Sequence, residues 1–186
     1  MEKKFYNQKY DVDLGVPFEL GDNRYKNRRQ VRDMLNLIST NFMKKSREAG
    51  WTPFIHADMH VADRLSDREF PADEFVQIVA KVATKHEKEI LKLVEDRFNK
   101  VENAPFRINC YGYGAWMIGV SISIYVCPET GSKSFHLDIR TCYAERNMVH
   151  RKRNVDVYKI WTRGKPHWIK NPTEYVDPYA VDEETK

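Results

Sequence analysis

His60, Arg64 and Arg68 in the segment HVADRLSDREF stand four residues apart, so on a helix of about 3.6 residues per turn they share one face. Histidine changes charge near neutral pH, while guanidinium keeps its charge and offers a rigid fork of donors. A proton-transfer group beside two permanent cations is therefore suited to handling phosphate. A structural reading rests on the same residues. Cations near the C-terminal end of a short amphipathic helix complement its macrodipole and pair with acids such as Asp63 and Asp67.

Two further basic groups point toward a polyanion. Arg24, Lys26, Arg28, Arg29 and Arg32 fall in the first turns of a helix, where positive charge opposes the macrodipole unless an anion answers it. A phosphate or an acidic partner would do so, and so would acids of the preceding arm such as Glu19 and Asp22. From Arg146 to Lys170 the cations, Arg151, Lys152 and Arg153 among them, face a single acid, Asp156. Such a block can track a phosphate backbone or be plain solvated surface. A metal site is the rival within enzymes: His56 and His60 have the spacing of a helical zinc pair with Asp58 between them, but the glutamate of HExxH is missing. A third ligand would have to come from far along the chain, for instance His136 or Asp138.

The elements that must position these groups follow from periodicity. Residues 1–22 read as an irregular arm. Val31, Leu35, Ile38 and Phe42 predict an amphipathic helix from about residue 22 to residue 48, stopped by Gly50. A short extended piece, 51–55, leads into the helix of the triplet, which should end before Pro71. Pro71 then starts a long helix whose stripe runs from Phe75 through Ile78, Val82, Ile90 and Val94 to Phe98, with a break or kink in the polar patch 84–89.

After Pro105 the period changes to two. Val120, Ile122, Ile124 and Val126 alternate with polar neighbours, PETGS (128–132) supplies a turn, and Phe135, Leu137, Ile139 and Thr141 alternate with Ser134, His136, Asp138, Arg140 and Cys142. This is an antiparallel hairpin. Its polar face carries Ser121, Ser123 and Tyr125 beside His136, Asp138 and Arg140, with helices on the opposite side. Segments 107–113 and 155–161 add strands. Helices first and a small antiparallel sheet after predict an α+β fold.

Bulk properties agree with a folded chain. Of 186 residues 41% are apolar and 12% aromatic, with a net charge of +4, enough for a core without disulfides. Cys110, Cys127 and Cys142 are scattered and expected to be reduced. No stretch nears the roughly 20 apolar residues of a membrane helix, so a soluble cytoplasmic protein with no membrane partner is expected.

The order of HVADRLSDREF, helix and hairpin ending in IRTCY resembles the RelE/ParE-like toxin superfamily, in particular its BrnT-like branch. The resemblance covers residues 54–147 and rests on His60, Arg64, Arg68 and Phe70, then Thr141 and Tyr143. It implies an α+β core at 51–147 with helices packed on one face of a small antiparallel sheet. Residues 1–50 are then an arm and basic helix, 148–170 a basic segment able to add a strand, and 171–186 an acidic tail. Domains of this family serve in RNA cleavage, in gyrase inhibition or with no known activity; the ribonuclease branch implies RNA, free or on the ribosome, as target, an antitoxin-like or host protein as partner, and cleavage without metal or other cofactor by attack of a 2′-hydroxyl. In that chemistry His60 serves as acid or base, Arg64, Arg68 and Arg140 stabilise transition-state charge, and Tyr143 stacks or donates a proton. Arg24, Arg28, Arg29, Arg151, Lys152 and Arg153 would hold the nucleic acid. The alternative is a binding module for nucleic acid or protein on the same scaffold, without turnover.

Overall fold

The computed structural model describes residues 12–102, 104–105, 107–112, 116–144, 157–162 and 165–169. Helix α1 (Arg24–Asn41) starts at Asn23, whose side chain accepts the Lys26 backbone N–H at 3.0 Å, a cap that satisfies one of the orphan donors of the first turn. The periodicity predicts one helix to residue 48. Instead the chain turns at the fully buried Met43 and resumes as the short α2 (Lys44–Glu48). The extended piece is strand β1 (Trp51–Ala57), with Trp51, Pro53 and Ile55 inward and Thr52, Phe54 and His56 outward.

Helix α3 (Met59–Ser66) carries the triplet, but only in part. It ends in a Schellman turn: the Glu69 N–H bonds the Arg64 carbonyl at 2.9 Å and the Arg68 N–H bonds that of Leu65 at 3.3 Å. Arg68 occupies the left-handed position this turn requires, φ 59°, and so leaves the face that His60 and Arg64 share. The long apolar stripe is divided at His86 into α4 (Ala72–Lys85) and α5 (Glu87–Phe98), within the polar patch where a break was expected.

Strands β2 (Arg107–Tyr111), β3 (Trp116–Val126), β4 (Lys133–Ala144), β5 (Val157–Trp161) and β6 (His167–Ile169) complete a sheet in the order β1-β4-β3-β2-β5-β6. The fold is α+β, with helices packed against one face of the sheet, as expected. The sheet is larger and mixed, however. The hairpin β3–β4 and its neighbour β2 are antiparallel, whereas β1 joins β4 and β5 joins β2 in parallel. Parallel pairs form between segments distant in sequence, through connections that short-range alternation does not encode.

One buried cluster unites the inner sheet face with all the long helices. Leu35 and Ile38 of α1, Val61 and Leu65 of α3, Val79 of α4 and Ile90 of α5 meet Ile55, Ile118, Phe135, Leu137 and Ile160. Helix α1 and strand β5, which read as extensions, belong to the same core as 51–147. The arm up to residue 11, Tyr113, the cations Arg151, Lys152 and Arg153, and the acidic tail lie outside the described residues.

Candidate functional site

The basic start of α1 is answered from within the chain. Arg28 grips Asp63 of α3 with two nitrogens, each 2.8 Å from a carboxylate oxygen, and Arg24 Nη2 donates to both oxygens of Asp67, at 2.7 and 2.9 Å. The Arg28 guanidinium holds the Asp63 carboxyl below the usual carboxylate range. Two of the cations expected to hold nucleic acid are thus occupied by acids of the triplet's own segment, while Arg29 is exposed with no ion pair among the described residues.

Of the residues expected to form a catalytic set, His60 and Arg64 share one face of α3, while Arg68, Arg140 and Tyr143 stand apart from it. His60 stands exposed in the first turn of α3. Arg64 reaches the sheet, where Nη1 donates to the Cys142 carbonyl at 2.8 Å, and Glu69 lies 3.7 Å from its Nε. Arg68 projects from the turn beyond. Tyr143 is buried with Tyr111 and Met117, its hydroxyl donating to Met117 Sδ at 3.3 Å. Arg140 lies on the outer sheet face, where Nη1 bonds Asp58 at 3.2 Å and Nη2 is 3.8 Å from Asp138.

A bulge resets which side chains of β4 share a face with Arg140. Pairing runs Val120 to Ile139 but Gly119 to Thr141, so Arg140 is the extra residue and the alternation shifts beyond it. The plain period predicts Thr141 inward and Cys142 outward; instead Cys142 is in the core, and Thr141 faces Gly119 and Asn109 on the outer side. Burial pushes the Cys110 and Cys142 thiols up to about 12, which removes them as nucleophiles at neutral pH.

What the fold does assemble lies on the outer face, which no described helix covers. In register, Phe54 of β1 and Ser123 of β3 flank His136 of β4. The His136 ring is 4.8 Å from that of Phe54, 5.0 Å from that of His56 and 4.7 Å from that of Tyr125. His56 Nε2 and His136 Nδ1 are 3.0 Å apart, and Ser123 Oγ donates to Asp138 at 3.0 Å. Tyr125 is 55% and Phe54 37% exposed. Burial, and then the neighbouring His56, push His136 below its ordinary value, with Asp138 opposing; a neutral imidazole is favoured.

The other end of this face is closed by aromatic packing. Tyr111 is buried and stacks on Trp161 at 4.4 Å, with Lys159 Nζ 5.4 Å from its ring centre. Trp116 belongs to the inner side, where it packs edge-on to Phe70 at 4.9 Å.

The pairing of His56 with His60 as helical zinc ligands fails, because His56 is on β1 and His60 on α3. Among the described residues no group of three or more His, Cys, Asp or Glu side chains could hold a metal ion, and no helix is long and apolar enough to cross a membrane. His136, weighed only as a distant third ligand to a helical pair, is instead the direct neighbour of His56. Outward alternation at Thr52, Phe54 and His56 was available as a signal; the adjacency of β1 and β4 was not. Comparisons with protein-family models, curated proteins and solved structures find no match.

Proposed function

We propose that the chain binds single-stranded RNA on the open part of its outer sheet face, between β1, β4 and β3. The observation that carries this reading is the exposed ring cluster of Phe54, Tyr125, His56 and His136 beside Arg140. Unpaired bases stack on such rings at about 1–3 kcal/mol each, and a neighbouring guanidinium takes the phosphate between them. Strands hold these side chains at fixed spacing, so little order has to be acquired on binding.

The placement of Arg64 against a backbone carbonyl and of Tyr143 in a buried cluster favours binding over turnover. With Arg24 and Arg28 held at 2.7–2.8 Å by acids of α3, phosphate contact falls to Arg29 and to Arg140, whose own pairs with Asp58 and Asp138 are longer, at 3.2 and 3.8 Å, and easier to exchange for a phosphate. The basic segment 151–153 would extend the contact electrostatically.

Fluorescence anisotropy of the full chain with a labelled single-stranded RNA, in chelator and across a salt series, tests this. Tyr125→Ala and Phe54→Ala should each weaken binding about 5- to 150-fold, and Arg140→Ala should weaken it and flatten the salt dependence. His60→Ala should leave it unchanged. Binding indifferent to Tyr125→Ala and Phe54→Ala but lost on replacing Arg151, Lys152 and Arg153 would move the interface to the basic segment. Cleavage in chelator that disappears in His60→Ala and Arg64→Ala would establish the ribonuclease instead, and absence of any RNA binding would favour a protein partner.

A further inference from the structure

The parallel register of β1 and β4 sets His56 opposite Asp138 and Phe54 opposite His136, so the two imidazoles are diagonal neighbours on one face. They still approach edge to edge, with 3.0 Å between His56 Nε2 and His136 Nδ1 and ring planes 32° apart. Two nitrogens that close fit one ion as well as one shared proton. With metal–nitrogen bonds of about 2.0–2.1 Å they subtend roughly a right angle at the metal, the angle between adjacent ligands in a square or octahedral shell.

We propose that His56 and His136 chelate a late first-row divalent metal ion, Ni²⁺ or Cu²⁺ ahead of Zn²⁺, with water filling the remaining positions.

Imidazole selects these ions over Mg²⁺ or Ca²⁺, which prefer oxygen, and near-right-angle geometry suits Ni²⁺ and Cu²⁺ better than tetrahedral Zn²⁺. The surroundings are compatible with a cation. Asp138 lies across from His56 in register, and Asp58 follows at the end of β1; Arg140 bridges the two acids and balances part of their charge. Asp138 is itself fixed by Ser123. The hydroxyl-bearing ring of Tyr125 and the ring of Phe54 wall the pair on two sides. Since no third protein ligand joins them among the described residues, the ion is exchangeable and keeps open positions facing solvent, where an oxygen donor from outside can enter.

Isothermal titration of the full chain with NiCl₂, ZnSO₄ and MgCl₂, each alone, decides the matter. The expected result is one Ni²⁺ per chain, weaker Zn²⁺ and no saturable Mg²⁺, with Ni²⁺ binding lost in His56→Ala and in His136→Ala and retained in His60→Ala. Both replaced rings lie on the outer face, and circular dichroism checks that the variants remain folded. Absence of a saturable Ni²⁺ isotherm in the unaltered chain, or binding that survives both substitutions, would overturn the proposal. RNA binding is measured in chelator, so that reading and this one can fail separately.

Discussion

Replacing Arg64 with methionine separates the two readings of the triplet, because each assigns its energy to a different place. The aliphatic stem is kept, so packing over the sheet is preserved and only the charged donor is lost. Its bond to the Cys142 carbonyl is 2.8 Å long, and charge-assisted hydrogen bonds contribute about 1.5–3 kcal/mol. The guanidinium side chain is 42% exposed, so water retains part of that interaction in both states and can reach the abandoned carbonyl. The expected cost is therefore about 1–2 kcal/mol. For a chain of this length that corresponds to a fall in Tm of roughly 2–8 °C. Urea unfolding followed by circular dichroism gives the stability, and RNA anisotropy well below the transition gives the function of the folded fraction. The expected pattern is a lower midpoint with unchanged slope, and RNA affinity within twofold of the unaltered chain. A variant as stable as the original that no longer binds or cleaves RNA would refute the bracing role and place Arg64 at the ligand.

Gly119→Ala puts a methyl 2.9 Å from Thr141 Cγ2, against a side chain that is stiff at χ1; a loss of about 1–3 kcal/mol is expected, and Thr141→Ser should restore most of it in a double-mutant cycle. Asp63, whose folded carboxyl titrates below its ordinary value because of Arg28, contributes stability that is present above about pH 4 and lost as pH falls through the folded value. Asp63→Asn should therefore be less stable than the original at pH 7 and converge with it in acid, as measured by urea midpoints across pH. His86 is buried, and burial pushes its imidazole down, with Glu89 and the Trp161 backbone opposing. The unfolded chain takes up that proton below about pH 6.5 while the folded one resists it, so stability should fall as pH drops from about 6.5, and His86→Gln should flatten that part of the curve.

Much of this fold was legible because alternation is a local property. Residues 120–126 and 134–139 place Ser121, Ser123, His136 and Asp138 on one face, and the structure pairs them as that alternation implies. The bulge at Arg140 was not legible, since IRTCY continues a plausible alternation on its own strand. The only trace lies on the partner strand, where Gly119 leaves room for the Thr141 methyl. In the same way HVADRLSDREF reads as one helical face through Arg68, and the left-handed turn at that arginine carries no glycine to announce it. The site suffered most from topology. His56 and His136 are 80 residues apart, and nothing in either segment says that β1 will dock in parallel beside β4.

The segment that first suggested chemistry is largely consumed by construction. Val61, Ala62 and Leu65 enter the core, Asp63 and Asp67 hold the basic start of α1, and Arg64 holds the carbonyl just past the bulge of β4. Withdrawing any of these polar groups to bind a substrate would leave a partner without its bond, at a cost of the same order as the new bond would contribute. Phe54 and Tyr125 are under no such constraint. Their exposed rings hold no helix and close no turn, and large apolar side chains kept in water on a rigid sheet gain free energy only when something covers them. A protein folded this way has its unspent binding capacity on the outer face, and a search for its ligand should begin there.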